Sequence, residues 1–290
     1  MPNGILIIDK PAGWTSMDVC AKIRGILREK RVGHGGTLDP MATGVLPVFV
    51  GRATRAVEFA EKGGKEYVAG LRLGVVTNTQ DTSGEVMEEN KAFVTGEQLE
   101  TALAQFRGDI LQVPPMYSAI KVNGKKLYEL ARRGKEVERK PRPVTIYELE
   151  LLGWPDAGED FQLRIRCSKG TYVRTLCHDI GRLLGCGGAM SSLRRTMAAG
   201  FTLADAVTIE DVQGRGETLL RPLDSLFSGY PAVTLRSPGQ EKRVRCGNPV
   251  TLPGTAEGTY RVYGQEGDFL CLSRGSADGT LTSIKNFFGA

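Results

Sequence analysis

The sequence predicts an α+β fold with a mixed, largely antiparallel sheet, followed by a small β-rich domain at the C-terminal end. Strand-like and helix-like patterns do not alternate regularly along the chain, which argues against a doubly wound parallel sheet. After residue 229 the chain changes to short apolar runs separated by glycine and proline, without a helical pattern. We therefore expect one domain over residues 1–229 and a second over residues 230–290.

The individual elements of the first domain follow from local patterns. Runs with strand character lie at residues 4–8, 45–50, 67–73, 144–152 and 161–167. A helix is predicted after Thr15 or Ser16, and a second after the capping box that begins at Thr95. A third helix carries an apolar stripe at helical spacing: Val173, Leu176, Cys177, Ile180, Leu183 and Leu184. Tyr172 and Arg174 lie in its first turn, off that stripe, and His178 falls on its polar face, where we expect it to be solvated.

Composition excludes several classes of protein. The 290 residues are 41% hydrophobic and 24% charged, which is typical of a folded globular chain. No apolar run reaches the ~18 residues that a membrane-spanning helix needs, and no basic segment precedes the first apolar run as it would in a signal peptide. We therefore expect a cytoplasmic protein without a membrane partner. Its oligomeric state is expected to be monomeric.

Cofactor and metal motifs are also missing from the sequence. The six cysteines contain no C-x-x-C pair, and the two histidines, His34 and His178, are far apart, so no zinc pattern can be written. Neither a Walker A motif, a dinucleotide-binding G-x-G-x-x-G nor a serine-nucleophile elbow is present. We expect no cofactor, no metal, and cysteines that are buried or half-buried free thiols.

Positive charge is concentrated in residues 121–143. The chain has a net charge of +5, whereas this segment alone has nine Lys or Arg residues and three Glu residues. The charges alone leave two interpretations open: a solvated loop, or a surface that binds the phosphates of a nucleic acid. In the second case the phosphate-binding candidates are Lys121, Lys125, Lys126, Arg132, Arg133, Lys135, Arg139 and Lys140.

A glycine-rich segment over residues 33–44 contains one imidazole, His34, and one carboxylate, Asp39. So many glycines predict a loop that allows close approach to its backbone. Residues 35–47, G-G-T-L-D-P-M-A-T-G-V-L-P, closely resemble the catalytic motif of the tRNA pseudouridine synthase B (TruB) family. Further motifs resemble the same family in the same order: K-P-A-G-W-T-S at 10–16, K-E-Y at 65–67 with G-V-V-T-N-T-Q-D-T-S-G at 74–84, V-P-P-M-Y-S-A at 113–119 with K-V-N-G at 121–124, and S-K-G-T-Y-V-R at 168–174.

The resemblance implies a pseudouridine synthase catalytic domain that converts uridine 55 in the T-loop of tRNA to pseudouridine without a cofactor. It implies that Asp39 is the nucleophile, which attacks either the sugar carbon C1′ or the pyrimidine ring; both routes stay open. Arg174 matches the arginine that pairs with this carboxylate. Tyr67 matches the tyrosine that stacks on the target base and helps remove the C5 proton.

The same resemblance implies a substrate-binding role for four further features. Tyr172 matches a second active-site tyrosine, Leu193 an apolar residue of the uracil pocket, and His34 a histidine near the flipped nucleotide. The basic segment at 121–143 matches a mobile insertion that closes on the T-arm of tRNA. Residues 230–290 resemble, more weakly, the PUA-type RNA-binding domain.

Two alternatives keep this fold but change the function. A guide-RNA-dependent pseudouridine synthase subunit shares the motifs, although such proteins usually need partner proteins and a longer C-terminal region. A non-catalytic tRNA chaperone is less favoured because Asp39, Tyr67 and Arg174 are all present. We expect Asp81 to be a turn residue or a supporting residue rather than a catalyst.

Overall fold

The computed structural model describes residues 1–122, 124–153 and 160–288. Asn123 of the K-V-N-G motif lies outside these residues. The strands within them are β1 (Gly4–Lys10), β2 (Val32–His34), β3 (Thr43–Val50), β4 (Lys65–Leu73), β5 (Val75–Thr77), β6 (Val86–Glu89), β7 (Gly108–Gln112), β8 (Lys121–Val122), β9 (Lys125–Lys126), β10 (Arg142–Leu151), β11 (Phe161–Cys167), β12 (Gly188–Ala198), β13 (Phe201–Thr202), β14 (Ala232–Thr234), β15 (Val250–Thr251), β16 (Gly258–Tyr263), β17 (Phe269–Gly275) and β18 (Thr280–Asn286). The α-helices are α1 (Ser16–Leu27), α2 (Val57–Lys62), α3 (Gly96–Ala104), α4 (Leu127–Ala131), α5 (Val173–Leu183), α6 (Ile209–Arg215) and α7 (Pro238–Arg245).

One large sheet organises the first 202 residues. Its strands run in the order β1-β3-β12-β4-β11-β10-β7, with β2 paired to β3 and β13 paired to β12. The pairing of β3 with β12 is parallel, and the other pairings in this sheet are antiparallel. The predicted mixed, largely antiparallel sheet is therefore confirmed.

The five predicted strands form β1, β3, β4, β10 and β11, and the three predicted helices form α1, α3 and α5. The predicted capping box at Thr95 is present, where the Thr95 side chain accepts from the backbone N–H of Gln98. Of the two cap candidates for α1, Thr15 is the cap, and its side chain accepts from the backbone N–H of Asp18. Leu183 departs from the prediction, because it lies at the exposed end of the α5 stripe.

The sequence patterns did not predict β7 or β12. Strand β12 contains serines and arginines, and Thr196 is its only β-branched residue, so its intrinsic strand propensity is low. It nevertheless lies inside the sheet, with β3 on one side and β4 on the other. Its pairing partners, not its own composition, therefore make it a strand.

The C-terminal part is β-rich, as predicted. Five strands pair in the order β14-β16-β17-β18-β15. The expectation that this part contains no helix was wrong, because α7 lies within it. The Ser237 side chain accepts from the backbone N–H of Gln240, and Pro238 occupies the first turn. Since Val244 is the one residue of α7 that is buried, the helix has no apolar stripe for sequence analysis to detect.

The large sheet is covered on both faces. On one face, Leu6 and Ile8 of β1 belong to a core shared with helices α1, α3, α5 and α6. On the other face, Ile5 and Ile7 belong to a core that also contains Leu272 and Phe287 of the C-terminal part. Of the helices in the described ranges, none is both long and apolar enough to cross a membrane.

Candidate active site

The loop that carries Asp39 is fixed by residues of the K-P-A-G-W-T-S motif. The buried Lys10 ammonium donates to the carbonyl oxygens of Pro40 (3.2 Å) and Ala42 (2.6 Å). The Ser16 hydroxyl accepts from the backbone N–H of Leu38 over 2.9 Å. The backbone N–H of Ala42 donates to the carbonyl of Asp39, which closes a turn around the carboxylate. The backbone is thus held by hydrogen bonds on both sides of Asp39, so the position from which its side chain extends is fixed.

Asp39 forms an ion pair with Arg174. The Arg174 Nε lies 3.0 Å from the Asp39 Oδ2, and the two side chains are 7% and 36% exposed. The guanidinium is therefore enclosed in the protein, while the carboxylate that it orients can be reached from solvent. This difference suits a carboxylate that must meet an incoming substrate.

Arg174 also connects several of the sequence motifs. It donates to the carbonyl oxygens of Thr79 (3.2 Å) and Tyr117 (2.9 Å). The carboxylate of Asp81, which is buried, lies 3.7 Å from the Arg174 Nη1. Asp81 is itself held by the Thr79 hydroxyl and the Ser83 backbone N–H. This arrangement agrees with a supporting position for Asp81, and it buries Arg174 despite its place off the apolar stripe of α5.

Tyr67 and Leu193 lie on one face of the β4–β12 pair. Tyr67 is opposite Arg195, and Leu193 is opposite Ala69, so the four side chains share that face. Both Tyr67 and Leu193 are buried. Burial raises the pKa of the Tyr67 phenol, and the positive charge of Arg195 opposes that rise. Nearby Asp39 contributes to the raised pKa, so the tyrosine and the carboxylate are electrostatically coupled.

Tyr172 caps the start of α5 and is half-buried. Its backbone N–H donates to the Gln112 side chain over 2.8 Å, which connects α5 to β7. Burial raises the pKa of its phenol. Asp39 also contributes to this raised pKa, which places Tyr172 within electrostatic reach of the carboxylate.

His34 ends strand β2 beside the glycine-rich loop and is half-buried. Burial lowers its pKa, and the nearby positive charge of Arg195 lowers it further. The imidazole is thus neutral at physiological pH, and its Nδ1 has no hydrogen-bond partner among the described residues. His178, in contrast, was predicted to be solvated and is instead half-buried, with a pKa that burial also lowers.

Three buried cations near this loop were given no role in the sequence analysis. Arg195 is 1% exposed and donates to the carbonyl oxygens of Val45 (2.7 Å), Gly36 (3.1 Å) and Thr37 (3.4 Å). Burial lowers the pKa of Lys10 to about 8, although nearby Asp39 opposes the shift. Lys65 is also buried, and desolvation likewise lowers its pKa to about 8. Lys10 and Lys65 lie inside motifs of the sequence, and this position could have indicated that they belong to the site. No motif contains Arg195, so nothing in the sequence marked it.

The basic segment forms a small substructure next to Tyr172. Strands β8 and β9 pair, and α4 follows, with its start bonded back to Ser118 and Ile120. The Lys126 ammonium and the Arg132 guanidinium lie 5.3 and 5.4 Å from the Tyr128 ring centre. Six of the eight predicted phosphate-binding residues are exposed, whereas Lys126 and Arg139 are half-buried. Arg139 also pairs with Glu136 at 2.8 Å, so it is the least available of the eight.

Across the described ranges, no group of three or more His, Cys, Asp or Glu side chains is arranged to bind a metal ion. The cysteines are free, and five of them are buried. Cys246 is exposed, which differs from the predicted buried or half-buried environment, because it follows the exposed last turn of α7.

Comparisons with known proteins agree with this geometry. Residues 24–173 match the N-terminal domain of TruB family pseudouridylate synthases, and residues 174–228 match the tRNA pseudouridylate synthase B C-terminal domain. The chain is 44% identical over 288 residues to tRNA pseudouridine synthase B of Stutzerimonas stutzeri, covering 96% of this chain and 93% of that protein. It is 42% identical over 292 residues to tRNA pseudouridine synthase B of Dehalococcoides mccartyi, covering 98% of this chain and 96% of that protein.

Solved structures show the same fold. A Cbf5-Nop10-Gar1 complex contains a chain that is 26% identical, with a TM-score of 0.75 and coverage of 98% of this chain and 85% of that chain. An H/ACA RNP bound to a substrate RNA containing 2′-deoxyuridine contains a chain that is 25% identical, with a TM-score of 0.75 and coverage of 99% of this chain and 85% of that chain. The five ordered motifs, the fold and the full-length relatives lead to one conclusion: the chain belongs to the TruB family of pseudouridylate synthases.

Proposed function

We propose that this protein isomerises uridine 55 in the T-loop of tRNA to pseudouridine, with Asp39 as the nucleophile. The observation that carries the proposal is the 3.0 Å ion pair between the enclosed Arg174 and the accessible Asp39. The guanidinium holds the carboxylate in one orientation, so little reorganisation is needed when a substrate arrives. Relatives at 42–44% identity that are named tRNA pseudouridine synthase B support tRNA as the substrate.

The reaction needs no atoms from outside the substrate. The bond between N1 of uracil and C1′ of ribose breaks, and a bond between C5 and C1′ forms. The C5 proton leaves, and N1 gains a proton, so the product is an isomer of the substrate. Asp39 serves either by attacking C1′ or by adding to the electron-poor ring, since a carboxylate can do both. In each route the carboxylate is released when the new bond has formed.

The residues around Asp39 provide a pocket for the base. We assign Leu193 and the ring of Tyr67 to the faces of the uracil, because both are buried on the same side of the sheet. Burial raises the pKa of the Tyr67 phenol, and the nearby Arg195 charge opposes that rise, which favours the phenolate form that can accept the C5 proton and become the neutral phenol. Tyr172 and the neutral His34 border the pocket, where His34 can contact a nucleotide that has left its stack.

The basic segment 121–143 provides the RNA-backbone contacts in this proposal, and the PUA-like C-terminal part supplements them. We propose that the protein acts as a monomer on the tRNA T-arm in the cytoplasm. The chain is more similar in sequence to the proteins named tRNA pseudouridine synthase B than to the Cbf5 chains. This difference favours direct recognition of tRNA over recognition through a guide RNA. Asp39, Tyr67 and Arg174 lie close together, which favours a catalyst over a chaperone.

The proposal is tested with Asp39→Asn, which keeps the size of the side chain but removes its charge and nucleophilicity. Tritium release from C5-labelled uridine in a T-arm stem-loop should fall below detection. Affinity for the stem-loop should stay within about tenfold, or ~1.4 kcal/mol, of wild type. The control is Asp205→Asn, which removes a carboxylate paired with Arg221 at 2.8 Å outside the loop. Near-normal tritium release by Asp39→Asn would show that Asp39 is not the nucleophile.

A further inference from the structure

A second concentration of positive charge lies outside the basic segment 121–143. Between residues 22 and 31 the sequence has five Lys or Arg residues and one Glu, and two more arginines follow at 52 and 55. The function proposed above uses none of them. The first group spans the C-terminal half of α1 and the turn before β2, and the second lies on the 3₁₀ helix Gly51–Ala56.

The fold brings these two groups together. The backbone N–H of Gly51 donates to the carbonyl of Arg31 over 2.8 Å, which joins the end of β3 to the start of β2. The Arg24 guanidinium donates to the carbonyl oxygens of Lys30 (3.1 Å) and Val32 (3.4 Å), so the end of α1 is attached to the same turn. One surface results, which we call the second basic surface: Arg28, Lys30, Arg31, Arg52 and Arg55.

The charges of this surface are largely uncompensated. All five residues are exposed. Arg28, Lys30, Arg52 and Arg55 form no ion pair with any carboxylate of residues 1–122, 124–153 or 160–288. Arg31 pairs with Glu29 over 3.8 Å, and Arg55 donates to the Phe288 carbonyl over 3.4 Å. Uncompensated guanidinium groups at a surface attract a polyanion, and a planar guanidinium can bind phosphate oxygens through two hydrogen bonds.

The surface also has a concave centre. A pocket of about 420 Å³ is lined by Met1, Pro2, Asn3, Arg31, Gly51 and Arg52. Its floor is ordered by the Asn3 side chain, which accepts from the backbone N–H of Ala53 over 3.0 Å. Two arginines from different elements therefore border one cavity, which is an arrangement that can hold a phosphate between them.

Strands β1 and β3 fix the distance from this pocket to the candidate active site. Asn3 precedes β1 and Gly51 follows β3, whereas Lys10 and Gly44 pair at the other end of these strands, beside the loop that carries Asp39. Gly44 and Gly51 are seven positions apart, so at about 3.3 Å per residue the pocket lies roughly 23 Å from that loop. At about 3.4 Å per base-pair step this corresponds to about seven steps of a duplex, so a stem-loop whose target base lies at Asp39 can reach the pocket.

We propose that the second basic surface binds backbone phosphates of the T-arm roughly 23 Å from the loop that carries Asp39. This inference rests on the proposed function, because it takes the RNA to be positioned by the site at Asp39. It adds a contact separate from the basic segment 121–143, which is bonded to Ser118 near Tyr172.

The test measures binding of a T-arm stem-loop between about 50 and 200 mM KCl. Arg31→Gln/Arg52→Gln removes the two charges at the pocket, and Arg31→Glu/Arg52→Glu reverses them. The neutral variant should lower the slope of log affinity against log salt concentration by about 1.4–1.8, as expected for two lost phosphate contacts. The reversed variant should lose at least about tenfold in affinity at low salt. Lys91→Glu is the control, since Lys91 is exposed and follows the acidic residues Glu88 and Glu89.

The binding titration does not depend on turnover, so its result is separate from the failure or success of the proposed isomerisation. Wild-type affinity and salt slope in both double variants would overturn the inference. A loss of affinity seen with full-length tRNA but not with the stem-loop would also overturn it, because the surface would then contact RNA outside the T-arm. An equal loss in Lys91→Glu would show a general charge effect and reject a local site.

Discussion

The Arg195 guanidinium donates from Nε to the Val45 carbonyl over 2.7 Å, which ties two parallel strands of the sheet together by a side chain as well as by their backbones. Its other nitrogens bond the carbonyl oxygens of Gly36 and Thr37, which precede Asp39 in the glycine-rich loop. Gly44 allows this close approach: its φ is +100°, and a side-chain carbon there would lie 2.2 Å from the Arg195 carbonyl oxygen. The loop that carries Asp39 is thus bound to the central strand.

Replacing Arg195 should therefore impair both stability and turnover. Arg195→Met leaves three carbonyl oxygens without this donor, and each unsatisfied buried group costs about 1–3 kcal/mol. We expect a clear fall in thermal stability and at least a tenfold fall in tritium release. Arg194→Met is the matched control, because the neighbouring Arg194 is 43% exposed and pairs with Asp9 at the surface. Equal behaviour of the two variants in thermal denaturation and activity would contradict this role.

The basic segment should contribute to RNA affinity through its charges. Changing Arg132, Arg133, Lys135 and Arg139 to Glu should weaken tRNA binding and flatten its salt dependence. Because Arg139 already pairs with Glu136, the triple variant without it should account for most of the loss. Filter-binding titrations at several salt concentrations measure both quantities. If the affinity and its salt dependence were unchanged, the segment would be a solvated loop that does not bind RNA phosphates.

A protein that ends at Ser228 should fold and retain some turnover, but with reduced stability and weaker RNA binding. The candidate catalytic residues precede that point, whereas the truncation removes Phe269 and Phe287, which pack 5.9 and 5.6 Å from Phe227. Phe287 is buried and Phe269 is half-buried, so the loss of their contacts should cost at most roughly 3–6 kcal/mol, at about 1.5–3 kcal/mol for each fully buried side chain. Urea unfolding measures this cost. Phe269→Ala/Phe287→Ala in the full-length protein should reproduce most of the destabilisation while keeping RNA affinity, and failure to do so would contradict this packing role.

Lys10 should make stability depend on pH in the alkaline range. Its pKa is about 8 in the folded protein and 10.5 as a free side chain. Between these values the unfolded chain binds more protons than the folded one, so the contribution of Lys10 to stability rises with pH from about 8 to 10.5. Urea unfolding at pH 7 and pH 9.5 should show wild type gaining stability relative to Lys10→Met. Lys91→Met, at an exposed lysine, should show no such gain. A gap between wild type and Lys10→Met that does not change with pH would reject the lowered pKa.

Much of the fold and of the candidate site is determined by the sequence itself, because the signals are local. The capping box at Thr15 and the apolar stripe of α5 specify helices within one or two turns of chain. Asp39 is marked by the glycines around it, and Arg174 by its motif. Such short-range patterns need no knowledge of distant partners.

Tertiary structure alone decided what surrounds those residues. Strand β12 has low strand propensity, and it lies inside the sheet because β3 and β4 satisfy its backbone on both sides. That position buries Arg195, whose hydrogen-bond acceptors lie about 150 residues earlier in the chain. Likewise, Arg31 and Arg52 share a surface because the Gly51 backbone N–H donates to the Arg31 carbonyl. Whether a side chain is buried, and which groups it bonds, depends on residues that are far apart in the sequence, and local sequence patterns do not reveal such contacts. Here these contacts set the environment of Asp39.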